Sequence, residues 1–433
     1  MARPTVEEIN EYNPWIKGEK FETPAFRRSI YSEVKEEVER RRFIVSIVGI
    51  RRVGKTVLMK QIGNEMNGDR FFFSFDEEAY QNIDALKFVI SYFLRISKSK
   101  PFIFLDEIGR VRNWAGVVKK YHDLNKATFI ISSSSYLHIT KGKESLAGRL
   151  KDFTLPPWSF EEYLRLKNME IKPIKEENIE RAYVSFSPRT EKEIMDYLKK
   201  GSFPEIADED DEAKIKKYVK NSTVEKLIFE DLSRVFPVEH TDKLYDILVY
   251  LAKNSGSILN YTSLGQILGL SKDTVKRYVF YLEKALIMDT VPLFGSVVKI
   301  IRKGRKAYPA CSPIAFSYQE FYNEPALVEN AVLSKLKETF EDIKFYRDSF
   351  GREVDFVINN IPIEVKWKSE LSSEDFKNIL YFMNKYNLDF GIIVSKRFDL
   401  MEKGSKRVYI LPLDFFLLYD LNSLKILNQQ RPS

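Results

Sequence analysis

Three groups of residues in this sequence have types and spacings that could do chemistry. The first is the loop GIRRVGKT, where Gly49, Gly54, Lys55 and Thr56 fit the pattern G-x-x-x-x-G-K-[ST]. Glycines at those positions let backbone N–H groups wrap a phosphate at a helix N-terminus. Lys55 would bridge the β- and γ-phosphates of a nucleotide, and Thr56 would ligate Mg2+. Arg52, Val53 and Val57 complete the expected nucleotide-binding set. An apolar run, FIVSIVG, enters the loop and a helical pattern, VLMKQIGNEM, leaves it, as phosphate-binding loops require.

The second group stands at the end of FIFLDE. Four apolar residues bury a strand, and Asp106 emerges at its carboxyl end, where open α/β sheets place their ligands. Asp106 would hold the Mg2+ shell and Glu107 would polarise an attacking water. No Asn-Lys-x-Asp guanine reader occurs, so ATP is favoured over GTP. The run TFIIS ends in Ser132, Ser133, Ser134 and Ser135. One of these hydroxyls would face the γ-phosphate, or the run is a serine-rich strand-to-helix turn. Arg149, just before the next apolar run, suits an arginine finger reaching a neighbouring subunit's nucleotide; a plain surface arginine fits the position equally.

The third group lies in GREVDFVINNIPIEVKWK, with Asp355 on one strand, a turn at Asn359-Asn360, and Glu364 and Lys366 on the next. The i, i+2 spacing puts Glu364 and Lys366 on one face. Asp355 and Glu364 would hold a metal, with Lys366 positioning water, and Glu329 would approach from a helix. Charge alternation on a half-exposed hairpin produces the same pattern.

These residues need elements to position them. Apolar runs at 43–49, 71–75, 102–107, 128–132 and 152–156 alternate with longer amphipathic segments, which predicts buried parallel strands with crossover helices. A polar arm to residue 24 precedes this core, placed at 25–156, and a charged helical segment over 157–235 reads as a lid. Residues 236–310 read as a winged helix. Two helices join at Gly269-Leu270-Ser271 with Ser271 as N-cap, and Val275, Val279, Leu282 and Leu286 form a buried stripe. Lys272, Lys276 and Arg277 then occupy the recognition-helix position, and Lys299, Arg302, Lys303, Arg305 and Lys306 a basic wing along phosphates. The remainder, 311–433, predicts a helix (326–339), three strands (343–366), a helix (372–386) and strands at 390–395 and 407–411.

Composition narrows the classes. With 59 aromatic residues among 433 the chain is not disordered; one cysteine, Cys311, excludes a disulfide framework, and three histidines exclude a Cys/His zinc site. No run of about 18 apolar residues exists, so no membrane span is expected. The opening MARPTVEEIN carries no signal-peptide core, so a cytoplasmic location is expected. The net charge of +7 favours a polyanionic partner, DNA foremost, and abundant Lys and Glu with few His and Cys suit a thermophile.

GIRRVGKT, FIFLDEI with the following NW, LAGR, PPWSFEEYL and GSFPE together resemble the prokaryotic, archaeal-type AAA-family P-loop ATPases that carry a winged helix and a PD-(D/E)xK nuclease-like domain. The resemblance spans roughly residues 25–415 and is most specific in the ATPase portion; Gly109 stands where that family often has glutamine. It implies an α/β fold with a helical lid, winged helix and nuclease-like domain, ATP and Mg2+ as cofactors, and a hexamer-like homo-oligomer. Three activities follow from these features: an ATPase coupled to DNA handling with possible cleavage, an ATPase remodelling proteins, and a nucleotide-gated regulator. Intact Glu107 argues against the third.

Overall fold

The computed structural model describes residues 2–134, 146–169, 171, 174–186, 190–233, 236–295 and 304–427. They divide into two compact units, one from residues 1–157, 222–241 and 284–286, the other from 158–221, 242–283 and 287–433. The segment read as a lid, 157–235, is therefore shared between units.

The first unit is built on strands β1 (Ile44–Val48), β2 (Arg70–Ser74), β3 (Phe102–Asp106), β4 (Thr128–Ser133) and β5 (Leu150–Thr154), in the order β2-β3-β4-β1-β5. All four pairings are parallel. The central strands β1, β3 and β4 are buried along their whole length, which is why they read as mostly apolar runs, with Ser46 inside β1 and Thr128, Ser132 and Ser133 at the ends of β4. Helices α1 (Val6–Glu11), α2 (Tyr31–Arg40), α3 (Lys55–Glu65), α4 (Ile83–Ile96) and α5 (Trp114–Asp123) accompany the sheet. In α4, Asn82 caps the first turn by accepting from the Ala85 N–H, and Leu86, Val89, Ile90 and Phe93 enter a core with Phe73, Ile103 and Phe129.

The arm before residue 25 is folded onto this sheet. The fully buried Asn13 side chain donates to the Phe72 carbonyl at 2.8 Å and accepts from the Phe72 N–H at 2.6 Å. One amide thereby pairs the open edge of β2 as a neighbouring strand would. Trp15, buried beside Phe21 and Phe104, anchors the arm.

In the second unit, helices Thr241–Lys253, Tyr261–Leu268 and Lys272–Lys284 are followed by an antiparallel pair, β6 (Met288–Val291) and β7 (Lys306–Pro309). Gly269 ends the middle helix in the left-handed conformation, and the Ser271 hydroxyl accepts from the Thr274 N–H at 3.1 Å. Val275, Val279 and Leu282 are buried as the stripe requires, but the helix stops at Lys284, so Leu286 (φ 59°) is not part of it.

Helix Glu324–Lys337 leads into a six-stranded sheet of β8 (Ile343–Arg347), β9 (Glu353–Ile358), β10 (Ile361–Val365), β11 (Phe390–Ser395), β12 (Asp399–Lys403) and β13 (Lys406–Pro412). Its order is β12-β13-β11-β10-β9-β8, with β10, β11 and β13 parallel and the other pairings antiparallel. Asn359 and Asn360 both have positive φ, the two-residue turn that matches strand twist in a hairpin. The sequence gives no sign of strand β12, because DLMEK is a mostly exposed edge strand without an apolar face.

Candidate functional site

The carboxyl ends of β1, β4 and β3 lie side by side, and the sequence places its first two groups there. Gly49 leaves β1 where an added Cβ would stand 2.4 Å from the Leu155 carbonyl oxygen, so only glycine fits. Gly54, at φ +97°, turns the loop into α3. Lys55, 5% exposed, donates to the Gly49 and Ile50 carbonyls at 2.9 and 3.2 Å and lies 3.6 Å from the Glu107 carboxylate. Arg52 has a left-handed backbone (φ 72°), Val53 is fully buried, and Val57 faces outward on the first turn of α3.

Asp106 is buried, and both its oxygens are engaged. The Thr56 hydroxyl donates to one at 2.9 Å and the Ser132 hydroxyl to the other at 2.5 Å. Burial and the neighbouring Glu107 charge push its carboxyl above the usual carboxylate range, against the pull of those hydroxyls and Lys55. Glu107 follows in a left-handed conformation (φ 50°), with its N–H on the Ser132 hydroxyl and its carboxylate accepting from the Ser134 N–H at 3.2 Å. Strained backbone of this kind clusters at functional sites. A hydroxyl and a carboxylate 2.9 Å apart are hard oxygen donors of the type Mg2+ takes, so the residues present fit that ion.

Sequence reasoning missed the group that flanks the loop. Asp231, on the π-type helix Val219–Leu232, is buried and holds the Arg51 guanidinium through two bonds of 2.8 Å. Asp231 also accepts from the Ser134 hydroxyl at 2.9 Å and from Arg110 at 3.3 Å. Burial raises the Asp231 carboxyl, but Arg51, Arg110 and Ser134 outweigh it and hold it below its ordinary value. A Glu-Asp pair in a charged helix gives no local sign of such a role. Within the serine run, the Ser132 hydroxyl reaches Asp106 and the Ser134 hydroxyl reaches Asp231, and Ser135 lies outside the described residues. Arg149 stays at the surface, donating to Asp123 of its own chain at 2.5 Å.

The second unit places the remaining candidates. Lys272, Lys276 and Arg277 are exposed along one helix, and Arg305 is exposed, donating to the Thr290 hydroxyl at 3.0 Å. Lys299, Arg302 and Lys303 lie outside the described residues. Lys306 corrects the expectation of a phosphate contact. Its side chain is 3% exposed, with Nζ 2.7 Å from Glu353, 2.9 Å from Asp355 and 3.1 Å from Glu329. As first residue of β7 it shares a face with Tyr308, whose hydroxyl also donates to Glu329 at 2.6 Å.

Asp355 further accepts from the Val365 N–H at 2.9 Å, and Lys366 donates to Glu364 at 2.6 Å. Glu364 keeps its second oxygen, Oε2, buried without a partner. Burial and the Asp355 charge push Glu364 up to about 8 and Glu329 up to about 7. Asp355, Glu364 and Glu329 thus lie near one another, with Lys306, expected in the wing, among them. Among the described residues, no three His, Cys, Asp or Glu side chains are grouped to hold a metal ion.

Residues 41–164 match the AAA domain family, from the strand before the phosphate loop to the helix after β5. The matched segment carries the parallel sheet and phosphate loop of a P-loop ATPase domain. Residues 191–310 and 325–416 match two domain families of unknown function, DUF8612 and DUF4143. The chain is 28% identical over 409 residues to the uncharacterized protein MJ1637 of Methanocaldococcus jannaschii, covering 88% of this chain and 82% of that protein. It is 29% identical over 323 residues to MJ1544 of the same organism, covering 72% and 71%. Among solved structures it is similar to the Walker-type ATPase paby2304 of Pyrococcus abyssi, at 16% identity over 68% of this chain and 95% of the other (TM-score 0.43). The Thermotoga maritima RuvB Holliday junction branch migration motor is also similar, at 16% identity over 60% and 87% (TM-score 0.30). Beside this ATPase domain, no helix among the described residues is long and apolar enough to cross a membrane.

Proposed function

We propose that this chain hydrolyses ATP with Mg2+ and couples turnover to DNA bound by the second unit. The observation that carries the reading is the convergence of Lys55, Thr56, Asp106 and Glu107 at the carboxyl edge of β1, β4 and β3. The loop N–H groups and Lys55 would hold the phosphates, and Thr56 with Asp106 would hold Mg2+, which neutralises phosphate charge when bound. Glu107, fixed by the Ser134 N–H, orients the water.

The DNA half of the proposal rests on Lys272, Lys276 and Arg277, three solvent-facing cations near the start of a helix capped by Ser271. We read 236–310 as a winged helix and 311–433 as a PD-(D/E)xK-like fold, from the helix-then-hairpin order and the mixed sheet that follows. Cleavage by that fold is not part of the proposal, because Lys306 lies among its carboxylates. An arginine-finger role for Arg149 in a homo-oligomer would need its pairing with Asp123 to open.

A second reading, docking of a protein, draws on Phe280, 46% exposed one turn after Lys276 and Arg277 on the same helix, and on Ile267 of the preceding helix, 64% exposed. ATP turnover measured with and without duplex, forked and single-stranded DNA separates the two. Stimulation by one of these DNAs supports the first reading; turnover indifferent to all of them refutes it in favour of the second.

A further inference from the structure

A site that binds a divalent metal collects carboxylate oxygens at about 2.0–2.6 Å around one point. In the second unit a point of that kind is taken by the chain itself. An ammonium has three N–H donors and no acceptor. Lys306 donates to Glu329 on helix Glu324–Lys337 and to Asp355 on β9 and lies 2.7 Å from Glu353, also on β9. The lysine is almost fully buried and enters from a third element, β7, so it is held by the fold and cannot swing into solvent. Lys366, which the nuclease pattern would assign to water, is committed to Glu364.

Glu364 supplies the independent sign that this acidic group is a site and not only an ion cluster. Its side chain is 3% exposed and its Oε2 atom has no hydrogen-bond partner. It lies one step along the hairpin ladder from the Ile363–Phe356 pair, opposite Asp355. A buried carboxylate oxygen without a donor is costly, and a bound cation or water is a reason for keeping one.

We propose that Lys306 is a built-in cation closing this site in place of a divalent metal, and that removing its ammonium opens a divalent-cation site on Glu329, Glu353 and Asp355, beside Glu364. The second unit is then a platform that does not hydrolyse phosphodiesters, and the proposal stands independently of whether the chain binds DNA. A divalent ion and an ammonium cannot share one point, since both need the same carboxylate oxygens at contact distance.

The test uses the full chain without nucleotide and Mn2+ as probe, read by paramagnetic resonance of free Mn2+ and by melting temperature. Wild type and Asp355→Asn should bind the same amount of Mn2+. Lys306→Ala should gain one Mn2+ per chain, at least about tenfold tighter than any wild-type site, and Lys306→Ala with Asp355→Asn should lose it. Mn2+ should raise the melting temperature of Lys306→Ala only. An equivalent bound by wild type and lost in Asp355→Asn overturns the proposal, as does a folded Lys306→Ala that gains none. Should Lys306→Ala not fold, Lys306→Met, which keeps the buried stem and drops the ammonium, takes its place with the same outcomes.

Discussion

Replacing Asp231 with asparagine should destabilise the first unit by about 3 kcal/mol. Truncating one partner of a buried ion pair typically costs about 3–5 kcal/mol, because the other charge stays buried and uncompensated. Here the stranded groups are Arg51 and Arg110, 14% and 8% exposed. Each keeps a second acid, Glu230 at 3.0 Å for Arg51 and Asp76 at 3.1 Å for Arg110. Those acids are 44% and 68% exposed, and exposed pairs return only about 0–1 kcal/mol, which sets the expectation at the lower end. Trp15 and Trp114 are buried in the first unit, so urea unfolding followed by fluorescence in a Trp158→Phe, Trp367→Phe background reports on that unit. The pH dependence has a definite sign. Asp231 has its folded pKa lowered, so its contribution is complete above the unfolded value of about 3.9 and is lost as pH falls through the folded value. The gap between wild type and Asp231→Asn should be full at pH 7 and close in acid. A midpoint shift worth less than about 0.5 kcal/mol at pH 7, the scatter of ordinary surface changes, would refute the reasoning.

Other expectations follow from single contacts. Lys55→Ala should weaken ATP binding measured by calorimetry, while Glu107→Gln should keep binding and lose turnover; equal ATP affinity in wild type and Lys55→Ala removes the role given to the lysine. Neutralising Lys272, Lys276 and Arg277 together should make the slope of log K for duplex DNA against log salt shallower by about 0.9 for each phosphate that is no longer neutralised, and an unchanged slope assigns that face to other partners. Asn13→Ala leaves the Phe72 N–H and carbonyl of the β2 edge without partners and should cost about 1–3 kcal/mol in the same unfolding assay; no loss would mean the arm adds nothing to the sheet.

The sequence by itself determined whatever is local. The phosphate loop is one strand, eight residues and one helix in succession, so residue types and spacing carry it whole. Asp106 and Glu107 were legible because a buried parallel strand must be apolar until its carboxyl end, where polarity marks the ligand edge. The Asp355, Glu364 and Lys366 hairpin was legible for the same reason, as two strands and a two-residue turn.

Only the tertiary structure decided which charges meet over distance. Arg51 and Asp231 are 180 residues apart, and nothing near either one signals the other. Arg305 and Lys306 are chain neighbours of like charge, yet one is exposed and the other buried among carboxylates. Strand alternation sends adjacent side chains to opposite faces, and the sequence does not say which face is covered. That face is set by Glu329, Glu353 and Asp355 arriving from elements farther along the chain, so whether a lysine meets water or acid is fixed only when the fold closes.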